Sequence, residues 1–229
     1  MSARSASAAG SPVPAEAPLD CALCPRLAAF RAANRAVHPD WHNAPVPSFG
    51  TDTAELLIVG LAPGMNGANR TGRPFTGDYA GDLLYATLNK FGLSSGTYRS
   101  DPGDGLKLKK TMISNAVRCL PPENKPTGAE IVACRPFLAA RIAGLPRLKA
   151  ILVLGRIAHD STIRALGARL ADYPFGHALR YVIDGPNGPL AFHDSYHCSR
   201  YNTNTGRLTE DMFENVFAAI TADLSRRIA

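Results

Sequence analysis

The five cysteines stand as Cys21-x-x-Cys24, Cys119, Cys134 and Cys198. A CxxC pair beside a helical stretch, joined by two distant cysteines, is the form a four-thiolate site takes in sequence. By geometry alone it suits zinc and an iron–sulfur cluster equally well. The plainer alternative is that these thiols are small apolar side chains in a core. Cys24-Pro25 and Cys119-Leu-Pro-Pro122 have the shape of ligand loops, which favours metal coordination by Cys21, Cys24, Cys119 and Cys134 and leaves Cys198 over.

Three further segments concentrate polar chemistry. Residues 60–82, GLAPGMNGANRTGRPFTGDYAGD, hold six glycines together with Arg70, Arg73, Phe75, Asp78 and Asp82. Gly-rich backbone beside a helix start can bind phosphate, but the order is not that of a Walker or dinucleotide motif, and a tight turn without a ligand is the competing reading. Residues 115–127 contain Asn115, Asn124 and Lys125. Residues 193–209, HDSYHCSRYNTNTGRLT, carry Ser195, His197, Ser199, Arg200, Asn202, Asn204 and Arg207, side chains that bond phosphates or base edges. Tyr196 and Tyr201 can stack or wedge there. His193, where an apolar strand enters this loop, is a candidate for chemistry against the commoner structural role of a lone histidine.

These segments need a frame, and the frame is legible. Three short β-branched apolar runs, at 56–60, 112–117 and 150–155, are each followed by loop or helix residues, and a fourth run ends at His193. Strands apolar on both faces and separated by helices predict a parallel sheet covered on both sides. The expected architecture is a three-layer α/β/α sandwich around a central four-stranded parallel sheet. In such sheets ligands bind beyond the carboxyl ends of the strands, where the polar segments lie. Leu27, Phe30 and Ala33 predict an amphipathic helix within 21–37, and Leu83, Leu84, Leu88 and Phe91 another over 82–91, stopped by Gly92. Thr127 and Glu130 form a capping box for a third, which Pro136 should kink or restart. A last helix after Thr209 presents Phe213, Val216, Phe217, Ile220 and Leu224, with acids in its first turn and Arg226 and Arg227 in its last.

Of the 229 residues, 45% are hydrophobic and 19% charged, which excludes a fibrous or wholly disordered chain. Residues 1–18 are Ala, Ser, Pro and Gly with hardly a large apolar side chain, so they read as a disordered tail before a single domain over 19–229. No run of about 18 apolar residues and no secretory signal occur, so a cytoplasmic protein without a membrane association is expected. The sequon at Asn69 is then idle, and disulfides are disfavoured. Lys plus Arg exceed Asp plus Glu by 25 to 19, a net +6 that suits a polyanionic partner.

Taken in order, GLAP…NRTGRPFTGD, N-x-x-RC-x-PP-x-N-x-P-T, VLG-x-x-A and H-x-S-x-H-x-S-R-x-N-T-x-T-G-R-LT, together with the four cysteines, resemble the iron–sulfur uracil-DNA glycosylases, most closely their family 5 branch. The resemblance runs from about Leu19 to the C-terminus. It implies a structural 4Fe-4S cluster on Cys21, Cys24, Cys119 and Cys134. It also implies hydrolysis of the N-glycosidic bond of uracil and other deaminated or damaged bases in DNA, the opening step of base-excision repair. The expected enzyme is monofunctional, broad in base specificity, monomeric, and acts on double-stranded DNA.

The resemblance also implies roles. Phe75 stacks on the extruded base within a pocket containing Gly60, Leu61, Ala62 and Asn115, while His193 hydrogen-bonds the base carbonyl that gains charge. Related branches place an acidic or amide residue where this chain has Leu61, which shifts the principal carboxylate to Asp78. Asn124 and Asn115 both qualify to hold water or read the base, and the sequence does not rank them. Arg70, Arg73, Lys125, Ser195, Ser199, Arg200, Asn202 and Arg207 are expected to face DNA. His193-Asp-Ser195 departs from the family's usual His-Pro-Ser, and the charge of Asp194 near DNA has no evident purpose. Three alternatives stand beside this reading: an iron–sulfur protein that binds DNA lesions without hydrolysis, one that forms a covalent DNA adduct through His193, and a zinc-stabilised phosphate-binding domain.

Overall fold

The computed structural model describes residues 13–226. In chain order the elements are α1 (Pro25–Val37), β1 (Phe49–Gly50), β2 (Leu56–Gly60), α2 (Ala68–Thr71), α3 (Tyr79–Lys90), β3 (Ser94–Ser95), β4 (Lys107–Leu108), β5 (Thr111–Asn115), α4 (Gly128–Ala143), β6 (Ala150–Leu154), α5 (Arg156–Ala165), β7 (Arg180–Gly185), β8 (Gly188–Ser195), α6 (Arg200–Asn204) and α7 (Glu210–Leu224). The main sheet has the order β1-β5-β2-β6-β8-β7. Its inner four strands are mutually parallel, as the apolar runs predict, and antiparallel β1 and β7 extend it at each edge.

Strand periodicity builds the two faces. Leu56, Ile58, Ile113, Leu152 and Ala191 pack against Leu84 and Leu88 of α3 and Phe213, Phe217 and Ile220 of α7. Their alternating neighbours Leu57, Val59, Met112, Ile151, Val153 and Phe192 pack against Leu138 and Ile142 of α4 and Ala158 and Ile163 of α5. Every residue of β2, β5 and β6 is buried, and each such Leu or Ile contributes about 1.5–3 kcal/mol of burial. No helix among the described residues is long and apolar enough to cross a membrane.

Three expectations need correction. Residues 1–12 lie outside the described residues, but residues 15–18 are held on the domain. Glu16 accepts from the Ser48 amide (3.1 Å) and from Arg141 (2.6 Å), and Ala15 O accepts from Arg118 (3.2 Å). The cause is polar: Arg118 is 1% exposed, and its buried cation requires an acid and a carbonyl. Secondly, α4 begins at the predicted capping box and does not restart at Pro136 but continues as one helix, which leaves the kink as the remaining expectation. Thirdly, α7 ends at Leu224, before Arg226, and no basic residue occupies its last turn; Arg227 lies outside the described residues.

Parallel strands bring their carboxyl ends to one edge. Leu61, Ala116, Gly155 and Tyr196 therefore start four loops on the same side of the sheet.

Candidate active site

At this edge lies a cavity of about 490 Å³. It is walled by residues 61–68 after β2, by Phe75 and Asp78–Ala80 at the start of α3, by Asn115 and Asn124, and by His197, Ser199 and Arg200 beyond β8. Its floor depends on a glycine. A Cβ at Gly60 would stand 2.5 Å from Asn115 Oδ1 and 2.7 Å from the Phe75 ring, so only hydrogen there lets both close on the strand end.

Phe75 adopts φ +53°, a left-handed conformation that a bulky residue keeps only under constraint. The constraint is visible. Tyr98 Oη donates to Phe75 O (3.1 Å) and Tyr85 Oη to Pro74 O (2.7 Å). Arg73 donates twice to Asp104, both at 2.8 Å, and once to Thr76 (2.7 Å), with its guanidinium 5.3–5.8 Å from the centres of the Phe49, Tyr85 and Tyr98 rings. Arg73 holds the Asp104 carboxyl far below the usual range. The Phe75 ring stacks on His197, centroids 5.9 Å apart and planes at 28°.

Asp78 stands at the N-cap of α3 without a side-chain capping bond. Its Oδ1 is buried with no partner among the described residues, and Oδ2 lies against Gly64 and Gly67, where any Cβ would crowd it. Burial pushes its pKa above the ordinary carboxylate value; the amides of Gly81 and Ala80 act in the opposite direction, and nearby Asp82 adds to the rise. A buried carboxylate oxygen left unpaired beside a cavity is a reactive arrangement rather than a stabilising one. Next to it, the Cys198 thiol donates to Ala80 O (3.4 Å), and burial pushes its pKa up to about 12.

His197 opens onto the cavity and is otherwise enclosed by protein; burial draws its pKa down to about 4, so the ring is neutral. Asn202 faces inward, its amide donating to His197 O (2.8 Å), and Ser199 caps α6.

Gly60, Leu61, Ala62, Phe75, Asp78, Asn115 and Asn124 all meet at this site. His193 does not. It sits inside β8, 2% exposed, opposite Leu152 and Arg180, and its Nε2 lies 2.9 Å from Asp223 on α7, which Arg180 grips with two bonds of 2.7 and 2.8 Å. Burial lowers its pKa and the Asp223 charge opposes that. The strand continues to Ser195, so the histidine that emerges at the cavity is the one four residues later.

The residues expected on a DNA face divide similarly. Arg73 is consumed by Asp104 and three rings, and Ser195 is fully buried, its hydroxyl donating to Tyr196 O (2.9 Å). Asp194 is equally internal: it holds His159 Nδ1 (2.7 Å) and the Gly176 amide (3.2 Å), which explains its charge. Lys125 is exposed at the Asn124 loop, and Arg70 is exposed over a separate depression with Trp41 and Asp101. Arg207 lies 4.6 Å from the Tyr196 ring, in a neighbouring groove with Arg156 and Phe175, and Arg200 lies 5.1 Å from the Tyr79 ring. Sequence reasoning missed Tyr79, Met65 and Asn66 at the cavity; the place of Tyr79 directly after Asp78 was the available signal.

Behind this site, Cys21, Cys24, Cys119 and Cys134 line a second, narrower cavity with Leu27, Val117 and Phe137. All are free thiols. The Arg118 amide donates to Cys134 Sγ (3.3 Å) and Arg31 to Cys119 Sγ (3.7 Å), contacts that suit thiolates. Burial pushes the thiol of Cys119 up to about 12 and that of Cys134 to about 11, so deprotonation there calls for a bound cation. Among the described residues no three His, Cys, Asp or Glu side chains gather to hold a metal ion. The four thiols share one cavity with an apolar lining.

A sequence model of the uracil DNA glycosylase superfamily matches residues 47–221. The chain is 46% identical over 202 residues to a type-5 uracil-DNA glycosylase of Thermus thermophilus, covering 86% of this chain and 90% of that protein. It is 34% identical over 209 residues to a type-5 uracil-DNA glycosylase of Pyrobaculum aerophilum, covering 90% and 89%. A type-4 uracil-DNA glycosylase of Sulfurisphaera tokodaii is 30% identical over 174 residues, covering 75% and 72%.

Proposed function

The chain belongs to the uracil-DNA glycosylase superfamily, and from that premise we propose that it hydrolyses the N-glycosidic bond of uracil and other deaminated bases in duplex DNA, initiating base-excision repair. The observation that carries this is the buried Asp78 carboxylate, its Oδ1 without a partner among the described residues, in one cavity with Phe75 and His197. The target nucleotide rotates out of the stack, and its base lies on the Phe75 ring. Tyr201, 72% exposed on α6 next to Arg200, fills the gap left in the helix.

As the C1′–N bond breaks, its electron pair passes to the base and the sugar becomes cationic. Neutral His197 donates a hydrogen bond to the base oxygen where charge gathers, the role expected of His193. The Asp78 carboxylate stabilises the sugar cation and takes the proton of the attacking water. Asn115, 3% exposed on the floor, reads the base edge, while Asn124, at the exposed rim, holds the water. Among the described residues no lysine lines the cavity, which supports a monofunctional hydrolysis without an imine to the sugar. A space of about 490 Å³ lined by Leu61 and Met65 supports acceptance of purines as well as uracil. The residues given these roles all come from one chain, in keeping with a monomer. A covalent adduct through His193 finds no support, because that ring is sealed against Asp223.

Cys21, Cys24, Cys119 and Cys134 would hold a 4Fe-4S cluster, which would supply a structural cross-link between the segment entering α1, the segment after β5 and α4. Duplexes each carrying one uracil, hypoxanthine or xanthine, treated with the protein and then hot alkali, should break at uracil and at one or both purines. Intact strands throughout would contradict the proposal.

A further inference from the structure

Tyr79 and Arg200 face each other across the mouth of the cavity, and neither is explained by the chemistry at its floor. Tyr79 is the first residue of α3, directly after Asp78, and it is 37% exposed. Arg200 is the first residue of α6, behind its cap Ser199. The guanidinium carbon stands 5.1 Å from the Tyr79 ring centre.

Several other arginines of the fold are held by acids, whereas Arg207, over the Tyr196 ring in the neighbouring groove, is placed as Arg200 is. Arg73 is held by Asp104, Arg26 by Glu130 and Arg180 by Asp223. Arg200 has no acidic partner among the described residues, and an aromatic face stands where an acid otherwise would. A ring face restrains a long, flexible side chain without occupying its N–H groups, and it adds no negative charge to repel a polyanion. The fork of donors stays open for two phosphate oxygens.

We propose that Tyr79 is a positioning residue that holds Arg200 at the cavity mouth, set to grip a backbone phosphate of the strand whose nucleotide enters. The proposal rests on the glycosylase reading and adds to it a pre-ordered phosphate clamp joining the two loops that carry Asp78 and His197.

A double-mutant cycle tests it, using a duplex with a tetrahydrofuran abasic analogue, which cannot be cleaved, and affinity measured across a salt series. Arg200→Ala should weaken binding about tenfold near 0.1 M salt and reduce the salt slope by about 0.9, one phosphate's share. Tyr79→Ala should lose several-fold in affinity with part of the same slope, Tyr79→Phe should match wild type, and Tyr79→Ala/Arg200→Ala should be no weaker than Arg200→Ala alone. Multiplying effects, an unchanged slope in Arg200→Ala, or a Tyr79→Phe as weak as Tyr79→Ala would overturn the clamp. Both residues are exposed at the mouth, and melting curves exclude unfolding as the cause. Wild-type excision of uracil, run in parallel, separates the two levels: failure there breaks the glycosylase reading, whereas normal excision with an additive cycle removes only the clamp.

Discussion

The two cavities open from one stretch of chain, with Asn115 in the first and Cys119 in the second, yet they are built on opposite principles. The substrate cavity tolerates what folding disfavours: a phenylalanine at φ +53°, an asparagine at φ +57° and a carboxylate oxygen without a partner. The cysteine cavity is lined with Leu27, Val117 and Phe137, and two of its thiols already receive N–H donors. On the proposed function, the first region holds strain that serves chemistry and the second ties the chain together.

The largest effect should come from breaking the second region. Cys119→Ser is expected to abolish any visible thiolate-to-iron absorbance and to destabilise the fold by several kcal/mol, on the order of what metal-dependent sites contribute. Excision should fail with it, because Asn124 lies five residues beyond Cys119. Cys198→Ser should leave the absorbance intact. A Cys119→Ser protein with unchanged colour and melting temperature would remove the cluster assignment.

Arg73→Ala should cost about 3–5 kcal/mol, since it leaves the buried Asp104 carboxylate with the Arg99 and Leu106 amides but without its cation. Chemical denaturation measures this, and the salt dependence of DNA binding should not move, because Arg73 is 5% exposed. The two histidines sharpen the contrast further. His197→Ala should lower single-turnover excision by about 10²–10³ with little change in melting, as for the loss of one oxyanion donor. His193→Ala should do the reverse, lowering the melting temperature while excision persists in the folded protein. Equal rate losses for both would erase the distinction.

The sequence shows most of this frame and part of the site. The inner strands are legible because they are buried at every position; β1 is too short and β7 too exposed in alternation to announce themselves, although residues 184–188, Asp-Gly-Pro-Asn-Gly, mark the turn into β8. Phe75, Asp78, Asn115 and Asn124 are legible because the segments that follow parallel strands have one place to go. The histidine is not, because His193-Asp-Ser195 and His197-Cys-Ser199 present the same H-x-S pattern and only the length of β8 decides between them. Nor is Arg73, whose partner Asp104 lies thirty-one residues away, so its charge looks free in sequence.

The smallest expected effect concerns stability and pH. The folded-state pKa of Asp78 is raised, so its ionisation opposes folding, and this cost appears as pH rises from the ordinary carboxylate value through the raised folded one. Asp78→Asn should therefore stabilise the protein at pH 7 by about 1 kcal/mol, with the difference fading in acid as the wild-type carboxyl becomes neutral. Denaturant midpoints across a pH series read this directly, and a destabilised Asp78→Asn at pH 7 would assign Asp78 to structure.

The most direct test of the central claim is single-turnover excision of uracil from a duplex by wild type and Asp78→Asn at saturating protein. A catalytic carboxylate predicts a rate lower by at least about a hundredfold with near-normal DNA affinity. Excision at the wild-type rate by a folded Asp78→Asn protein would contradict the account.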